Sequence, residues 1–304
     1  MSKFRRGFWL YPLFQIPLIF LTTFLTAALL FWLLGFGRPP VAVAIALDLS
    51  HSTYQPQEFN ASGTIMNLEI KAVEAYVEKN ASERIGKPNQ IKILGFASNV
   101  IALTPSFEEN KETIENELLN TMNNPNLVNI IGGGSELNLA IQEGIEALTT
   151  ITNRCRELLI VTDGAVSVDP RVIKDAIQSQ VKINAIVIGV NAPEVQAAVD
   201  QTGGIYLSGN ENNLAILFTG KLFNNFNSNW RWIVFWLGLA WIALMWTLIM
   251  PLDRYLLQGL LKMPMNLAGR LALGNALFWT AATPGILWKI YQIFNLSLPF
   301  LSSC

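Results

Sequence analysis

Three small oxygen-bearing side chains leave the apolar run VAVAIAL at every second position: Asp48, Ser50 and Ser52, in the stretch AIALDLSHSTYQ. Two later segments offer the same chemistry. Gly132, Gly133 and Gly134 bring Ser135 to the start of a helical pattern, and Asp163 closes the run IVTDG. The set amounts to two carboxylates and three hydroxyls. Hard divalent cations (Mg²⁺, Mn²⁺ or Ca²⁺) select all-oxygen shells of this kind and keep positions open for water. Two negative charges facing a 2+ ion leave the site near neutral and still electrophilic, ready for one more anionic oxygen from outside. Each piece also has an ordinary use. Asp or Ser after a strand caps a helix, Ser135 stands where an N-cap belongs, and Asp-Gly makes turns. What favours a metal site is that all pieces fall in order at predicted loops.

The elements that must hold these residues alternate along the chain. VAVAIALD, QIKILGFA, NVIALT, RELLIVTDG, KINAIVIGV and IYLS read as strands, the second and third joined tightly at Ser98. Between them lie helical patterns: IMNLEIKAVEAYVEKN, FEENKETIENELLNTM, the segment after the glycines, PRVIKDAIQSQ, APEVQAAVDQTGG and ENNLAILFTGKL. Strands apolar at nearly every position are buried on both faces, which predicts a doubly wound, mostly parallel α/β sheet. Ligands of such sheets bind beyond the carboxyl ends of the strands. Asp48 and Asp163 both sit there.

With these residues in view, DLSHS resembles the DxSxS signature of von Willebrand factor A (VWA) domains. Gly132–Ser135 matches the position that usually carries a threonine, and TDG matches the later aspartate. The resemblance covers residues 41–224. It implies a Rossmann-like fold and a metal-ion-dependent adhesion site, with Mg²⁺ or Mn²⁺ held by Asp48, Ser50, Ser52, Ser135 and Asp163. It further implies that an acidic side chain of a protein partner completes the shell. Serine in place of threonine keeps the hydroxyl and loses a methyl. The polar stretch STYQPQEFNASGT should stand at the rim and shape partner choice, with His51 as a loop residue. Among VWA proteins, the arrangement looks like the bacterial membrane proteins of the aerotolerance (Bat) type, whose partners include MoxR-like ATPases. That likeness implies a part in assembling or stabilising a membrane or envelope complex.

Apolar residues make up 51% of the 304 residues and charged residues 14%, too apolar a balance for one domain in water. Residues 10–37 and 232–250 carry no charge, and each can cross about 30 Å of hydrocarbon. Residues 271–288 form a weaker third candidate, interrupted by Asn275 and Pro284. The first run is longer than a signal-peptide core and reads as a retained anchor. The expected organisation is a tail and anchor over 1–38, a VWA domain over 39–224, a linker and second membrane helix over 225–251, and a cytoplasmic amphipathic segment with the third candidate over 252–304. Lys3, Arg5 and Arg6 before the first run, and Arg254, Lys262 and Arg270 after the second, place both flanks in the cytoplasm and the middle domain outside. The sheet should then present its metal site away from the bilayer. Between Pro39 and Asn229 there are 12 Lys/Arg against 21 Asp/Glu, a poor match for nucleic-acid phosphates. Cys155 and Cys304 form no disulfide framework; two free thiols are the expectation, and the two could pair if residues 271–288 span and bring both to the oxidising side.

No phosphate-cradling GxxxxGK[ST] occurs, and Ser50 stands where an aspartyl phosphatase needs a second carboxylate. The expectation is therefore a membrane-anchored, cation-dependent binding protein and not an enzyme. Two alternatives are an auxiliary subunit bound through its membrane helices and, as a minor one, a Mg²⁺-dependent phosphohydrolase.

Overall fold

The structure, a computed structural model, describes residues 7–82, 87–164, 166–210, 212–294 and 296. Lys3, Arg5, Arg6 and Cys304 lie outside the described residues. In chain order the elements are α1 (Pro12–Leu34), β1 (Val41–Asp48), α2 (Ile65–Ser82), β2 (Gln90–Phe96), β3 (Val100–Ala102), α3 (Lys111–Met122), α4 (Leu127–Ile131), α5 (Leu137–Thr149), β4 (Cys155–Thr162), α6 (Pro170–Gln178), β5 (Val181–Ile188), α7 (Pro193–Thr202) and β6 (Tyr206–Gly209). Then follow α8 (Leu214–Ile216), a π-helical stretch (Leu217–Leu222), α9 (Phe223–Phe226), α10 (Trp230–Thr247), α11 (Ile249–Pro251), a second π-helical stretch (Leu252–Leu260) and α12 (Met265–Ile293). The chain forms two units, Arg38–Ser228 and the described residues of Met1–Gly37 with Asn229–Ser303.

The first unit is a six-stranded sheet in the order β3-β2-β1-β4-β5-β6. All neighbours pair in parallel except β2 and β3, which form an antiparallel hairpin at one edge. β1 lies at the centre and every one of its residues is buried. Its two faces differ. Val41, Val43, Ile45, Leu47 and Leu49 fill one core with Met66, Val73 and Tyr76 of α2. Ala42, Ala44 and Ala46 face the other, where small side chains let Leu137, Ala140 and Ile141 of α5 come close. Each fully buried Val, Leu or Ile contributes roughly 1.5–3 kcal/mol, so the central strand is fixed in place and in register. Some of the polar groups buried inside this unit are paired. Asn80 and Asn89 exchange side-chain to backbone hydrogen bonds at 2.9 Å, and Asn89 Nδ2 donates to the Tyr76 hydroxyl at 3.1 Å.

Differences from the sequence reading have local causes. α3 begins at Lys111, not Phe107, because Asn110 caps it by accepting from the Thr113 amide at 2.9 Å, and Glu108 pairs with Ile91 as a β-bridge. FNNFNSN reads as a polar linker, yet Phe223 and Phe226 are buried in the core beside Tyr76 and belong to a helix. Cys155, expected as a free thiol, is disulfide-bonded; the spacing of two cysteines along a chain says nothing of their distance after folding.

In the second unit, α1 and α10 are joined by rings. Phe24 and Phe31 lie against Trp236, and Phe31 against Trp232, at centroid distances of 5.8–6.0 Å. Asn229 Nδ2 donates to the backbone oxygens of Phe31 and Phe36. α10 meets α12 where a Cβ on Gly238 would stand 2.5 Å from Leu287, and Trp246 Nε1 donates to Thr280 at 2.9 Å. A glycine at such a crossing lets helices approach closely. Among the described residues, two helices are long and apolar enough to cross a membrane, Pro12–Leu34 and Trp230–Leu260. α1 exposes Ile19, Trp32 and other large apolar side chains along its length, which suits lipid and not water. α12 runs unbroken through Asn275 and Pro284 over 29 residues.

Two outcomes follow from the packing of the first unit. A Cβ on Gly204 would lie 1.9 Å from the Ile183 carbonyl oxygen, a backbone atom that cannot step aside. Gly204→Ala should therefore cost on the order of 1–3 kcal/mol in denaturant unfolding. Glu157 is buried on β4, and although Lys182 and the Asn184 amide at 2.8 Å oppose it, burial raises its pKa above the ordinary 4.5. The unfolded chain then releases this proton first, so Glu157 costs stability as pH rises through 4.5 toward its folded value. Glu157→Gln should be more stable than wild type at pH 7, with the gain vanishing near pH 4, as read by thermal melts across pH.

Candidate functional site

The carboxyl end of β1 delivers Asp48 into a position with no solvent exposure. Its carboxylate is held on both oxygens. The Ser50 amide donates to Oδ1 at 3.0 Å, and Thr162 Oγ1 donates to Oδ2 at 2.7 Å. Ser135 Oγ approaches Oδ2 at 3.4 Å. Burial is the largest influence on this carboxyl and pushes its pKa up. Hydrogen bonds from Ser50 and Thr162 pull it down, and the negative charge of Asp163 pushes it up again.

The other expected residues join in a chain. Ser50 Oγ and Ser52 Oγ are 3.0 Å apart, and Ser52 Oγ donates to Asp163 Oδ1 at 2.9 Å. All five, Asp48, Ser50, Ser52, Ser135 and Asp163, thus lie in one hydrogen-bonded cluster built from three loops. Ser135 does not cap α5. Glu136 stands at that position without a side-chain bond, so the seryl hydroxyl is left for Asp48.

The glycine loop is placed by its backbone. Gly132 has a φ of 75°, which favours glycine. The Gly134 amide donates to Ser98 Oγ at 2.8 Å, the Glu136 amide to the Ala97 carbonyl at 2.7 Å, and the His51 amide to the Gly133 carbonyl. A Cβ on Gly133 would fall 2.3 Å from the His51 ring, so glycine here admits the imidazole above the loop. His51 also meets Tyr54 edge-on, and Tyr54 meets Phe59, which ties the rim segment to the site.

Two residues escaped the sequence reading. Thr162 links the strands: its hydroxyl donates to Asp48 and accepts from the Gly164 amide at 3.1 Å. It stands one residue before Asp163, but its role needs β1 and β4 to be neighbours. Glu69 on α2 is completely buried, and burial above all, with the charges of Asp48 and Asp163, pushes its pKa well above the usual carboxylate range. Its position three residues after Met66 and four before Val73, inside the apolar stripe, is the signal that marks it.

The donor set fits a hard divalent cation. The carboxylates of Asp48 and Asp163 are bridged by two seryl hydroxyls, each of which can turn a lone pair toward an ion. Among the described residues no three of His, Cys, Asp and Glu converge as a metal-binding group, so the hydroxyls would have to complete any shell here.

The first unit, a mostly parallel six-stranded sheet flanked by helices, has von Willebrand factor A domains among the solved structures it resembles in fold. No protein-family model matches the chain, and no curated protein matches it. Solved structures similar to it include an aerotolerance-related membrane protein from Bacteroides fragilis NCTC 9343, carrying multiple mutations to serines, at 16% identity over 62% of this chain and 98% of that one, TM-score 0.48. A von Willebrand factor type A protein from Catenulispora acidiphila is 14% identical over 60% of this chain and 42% of that one, TM-score 0.48. Proximal thread matrix protein 1 from the mussel byssus, with a zinc-occupied MIDAS motif, is 18% identical over 60% of this chain and 46% of that one, TM-score 0.45. Identities this low transfer no residue's role.

Proposed function

We propose that this chain is a membrane-tethered binding protein that captures a protein partner through a divalent cation, Mg²⁺ by preference, held at the end of β1. The observation that carries the reading is the pair of seryl hydroxyls joining Asp48 to Asp163. When bound, the ion supplies positive charge and an open coordination place suited to a partner's carboxylate. Asp48 and Asp163 supply the countercharge. Ser50, Ser52 and Ser135 supply neutral oxygens that leave the ion electrophilic. Thr162 keeps the Asp48 carboxylate oriented, and its protonated hydroxyl lowers the cost of holding that charge out of water. His51 and the segment after it border the site, where a partner surface would meet the protein.

The two long apolar helices are the tether. Their ring contacts and the Asn229 bonds make α1 and α10 one packed pair, which supports a retained anchor. Arg254, Lys262 and Arg270 after α10 put that end in the cytoplasm and the cation site on the other side of the membrane. Assembly or upkeep of a membrane complex is the role this arrangement suits.

Purified in detergent, the wild-type protein should melt higher in MgCl₂ than in EDTA. At a concentration one hundred times the dissociation constant, the stabilisation should be about 2.7 kcal/mol. Asp48→Ala should lose that increment and lose partner capture in a pull-down from detergent extract, while its far-UV spectrum stays native. Capture that persists both in the variant and in EDTA would remove the cation from the mechanism.

A further inference from the structure

Cys155 opens β4 beside Val41 of β1 and is disulfide-bonded. The chain has two cysteines, and the other, Cys304, lies outside the described residues. Disulfides persist on an oxidising side of a membrane. A bond within one chain therefore needs the C-terminus on the same side as the α/β unit. Between the two cysteines lie α10 and α12. If α10 alone crosses, the C-terminus stays with Arg254 and Lys262 on the opposite side. A further crossing after α10 brings it back.

α12 has the contacts and the surface of that crossing. Its 29 residues make about 43 Å of helix at 1.5 Å per residue, more than a hydrocarbon core of about 30 Å. It runs antiparallel along α10. Asn275 Nδ2 meets Met245 Sδ at 3.9 Å, the Trp279 ring meets Trp241 edge-on at 5.3 Å, and the Tyr291 hydroxyl donates to the Arg231 carbonyl oxygen. The end of α12 thus lies level with the start of α10, where the chain arrives from the α/β unit. α12 is less apolar in composition than α1 and α10, but its polar groups are satisfied inside the bundle. Thr280 Oγ1 accepts from Trp246 and donates to the Ala276 carbonyl at 2.8 Å, and the buried Thr283 donates to the Trp279 carbonyl at 2.6 Å. No residue exposed between 271 and 288 is polar or charged, and Leu277, Phe278, Ile286 and Trp288 are among those that face outward. A helix lying in the membrane interface keeps a polar face toward water. Polar groups inward and large apolar side chains outward suit a helix surrounded by lipid.

We propose that α12 is a third membrane crossing, which returns the C-terminus to the side of the α/β unit, where Cys304 is the partner of Cys155; this rests on the tether reading above. Only the segment between α10 and α12 then stays cytoplasmic, with Arg270 at the near end of α12. Lys289, near the far end, is exposed and reaches the headgroups on its long stem, and Tyr291 stands where aromatic rings favour the interface. The bond forms by exchange with the disulfide of a thiol-oxidising protein. Cys155 Sγ joins Cys304 Sγ, and the two thiol hydrogens with their electrons pass to the oxidant, whose disulfide is reduced to two thiols. The link attaches at the amino edge of the sheet, at the opposite end of β4 from Thr162. It closes the chain from β4 to its C-terminus and leaves the loops of the cation cluster alone.

The test expresses the full chain in bacterial spheroplasts and reads labelling by a membrane-impermeant maleimide polymer as a gel shift. Denatured in SDS without reductant, wild type should run as a monomer and take no label; after reduction it should take two. In intact spheroplasts Cys155→Ser, whose remaining thiol is Cys304, should be labelled before lysis. Wild type reduced by an impermeant phosphine should also gain label before lysis, which covers a variant that folds poorly. Label that appears only after lysis would overturn the third crossing. Label before lysis, beside free thiols in unreduced wild type or a disulfide-linked dimer, would overturn the pairing. The exposed Ser106 reports on the α/β unit itself. Ser106→Cys in a chain lacking both native cysteines should be labelled before lysis. Label there only after lysis, or release of wild type from the membrane by alkaline carbonate, would overturn the tether reading instead.

Discussion

The arrangement depends on one charge held out of water. β1 is apolar and buried from end to end, so the residue that terminates it, Asp48, arrives in a desolvated place. A carboxylate there must be given hydrogen bonds or a cation. Three segments far apart in the chain meet that need: the Ser50 amide in the turn after β1, the Thr162 hydroxyl at the end of β4, and Ser135 beyond the glycine loop. The sheet order makes this possible, since β4 lies directly beside β1 and puts Thr162 and Asp163 next to Asp48's loop.

Support for the site extends outward by backbone bonds and packing. The glycine loop is tied to the β2–β3 hairpin through Ser98, Ala97 and Asn99, so the edge hairpin serves the centre. The asymmetric faces of β1 set the distances. Alanines toward α5 draw the Ser135 loop in, and the larger side chains on the opposite face hold α2 farther off. On that side Glu69 is a buried exception within the apolar stripe. The helical unit follows a different rule. There, rings and a glycine crossing join helices that keep apolar outward faces, as lipid would allow.

Much of this was legible in the residues. VAVAIALD, RELLIVTDG and KINAIVIGV declared buried strands by unbroken apolarity, and DLSHS and TDG declared oxygen-bearing side chains at their ends. The chain FNNFNSN misled, because asparagines suggested solvent while Phe223 and Phe226 went into the core. Ser135 looked like a cap and is not one, since a hydroxyl's partner is chosen by what lies within reach in space. Thr162 was visible but mute. Its meaning required knowing which strand stands beside β1.

The sequence by itself determined the two kinds of environment, a parallel α/β core and uncharged helices long enough for a bilayer, because periodicity and polarity are local properties of the chain. It also determined which side chains could offer oxygen to a cation. Only the tertiary structure decided that five of them share one hydrogen-bonded cluster, that Thr162 secures Asp48, and that Glu69 lies wholly buried on α2. Those facts are distances between residues up to about a hundred positions apart, and strand order and helix facing, not sequence spacing, fix such distances.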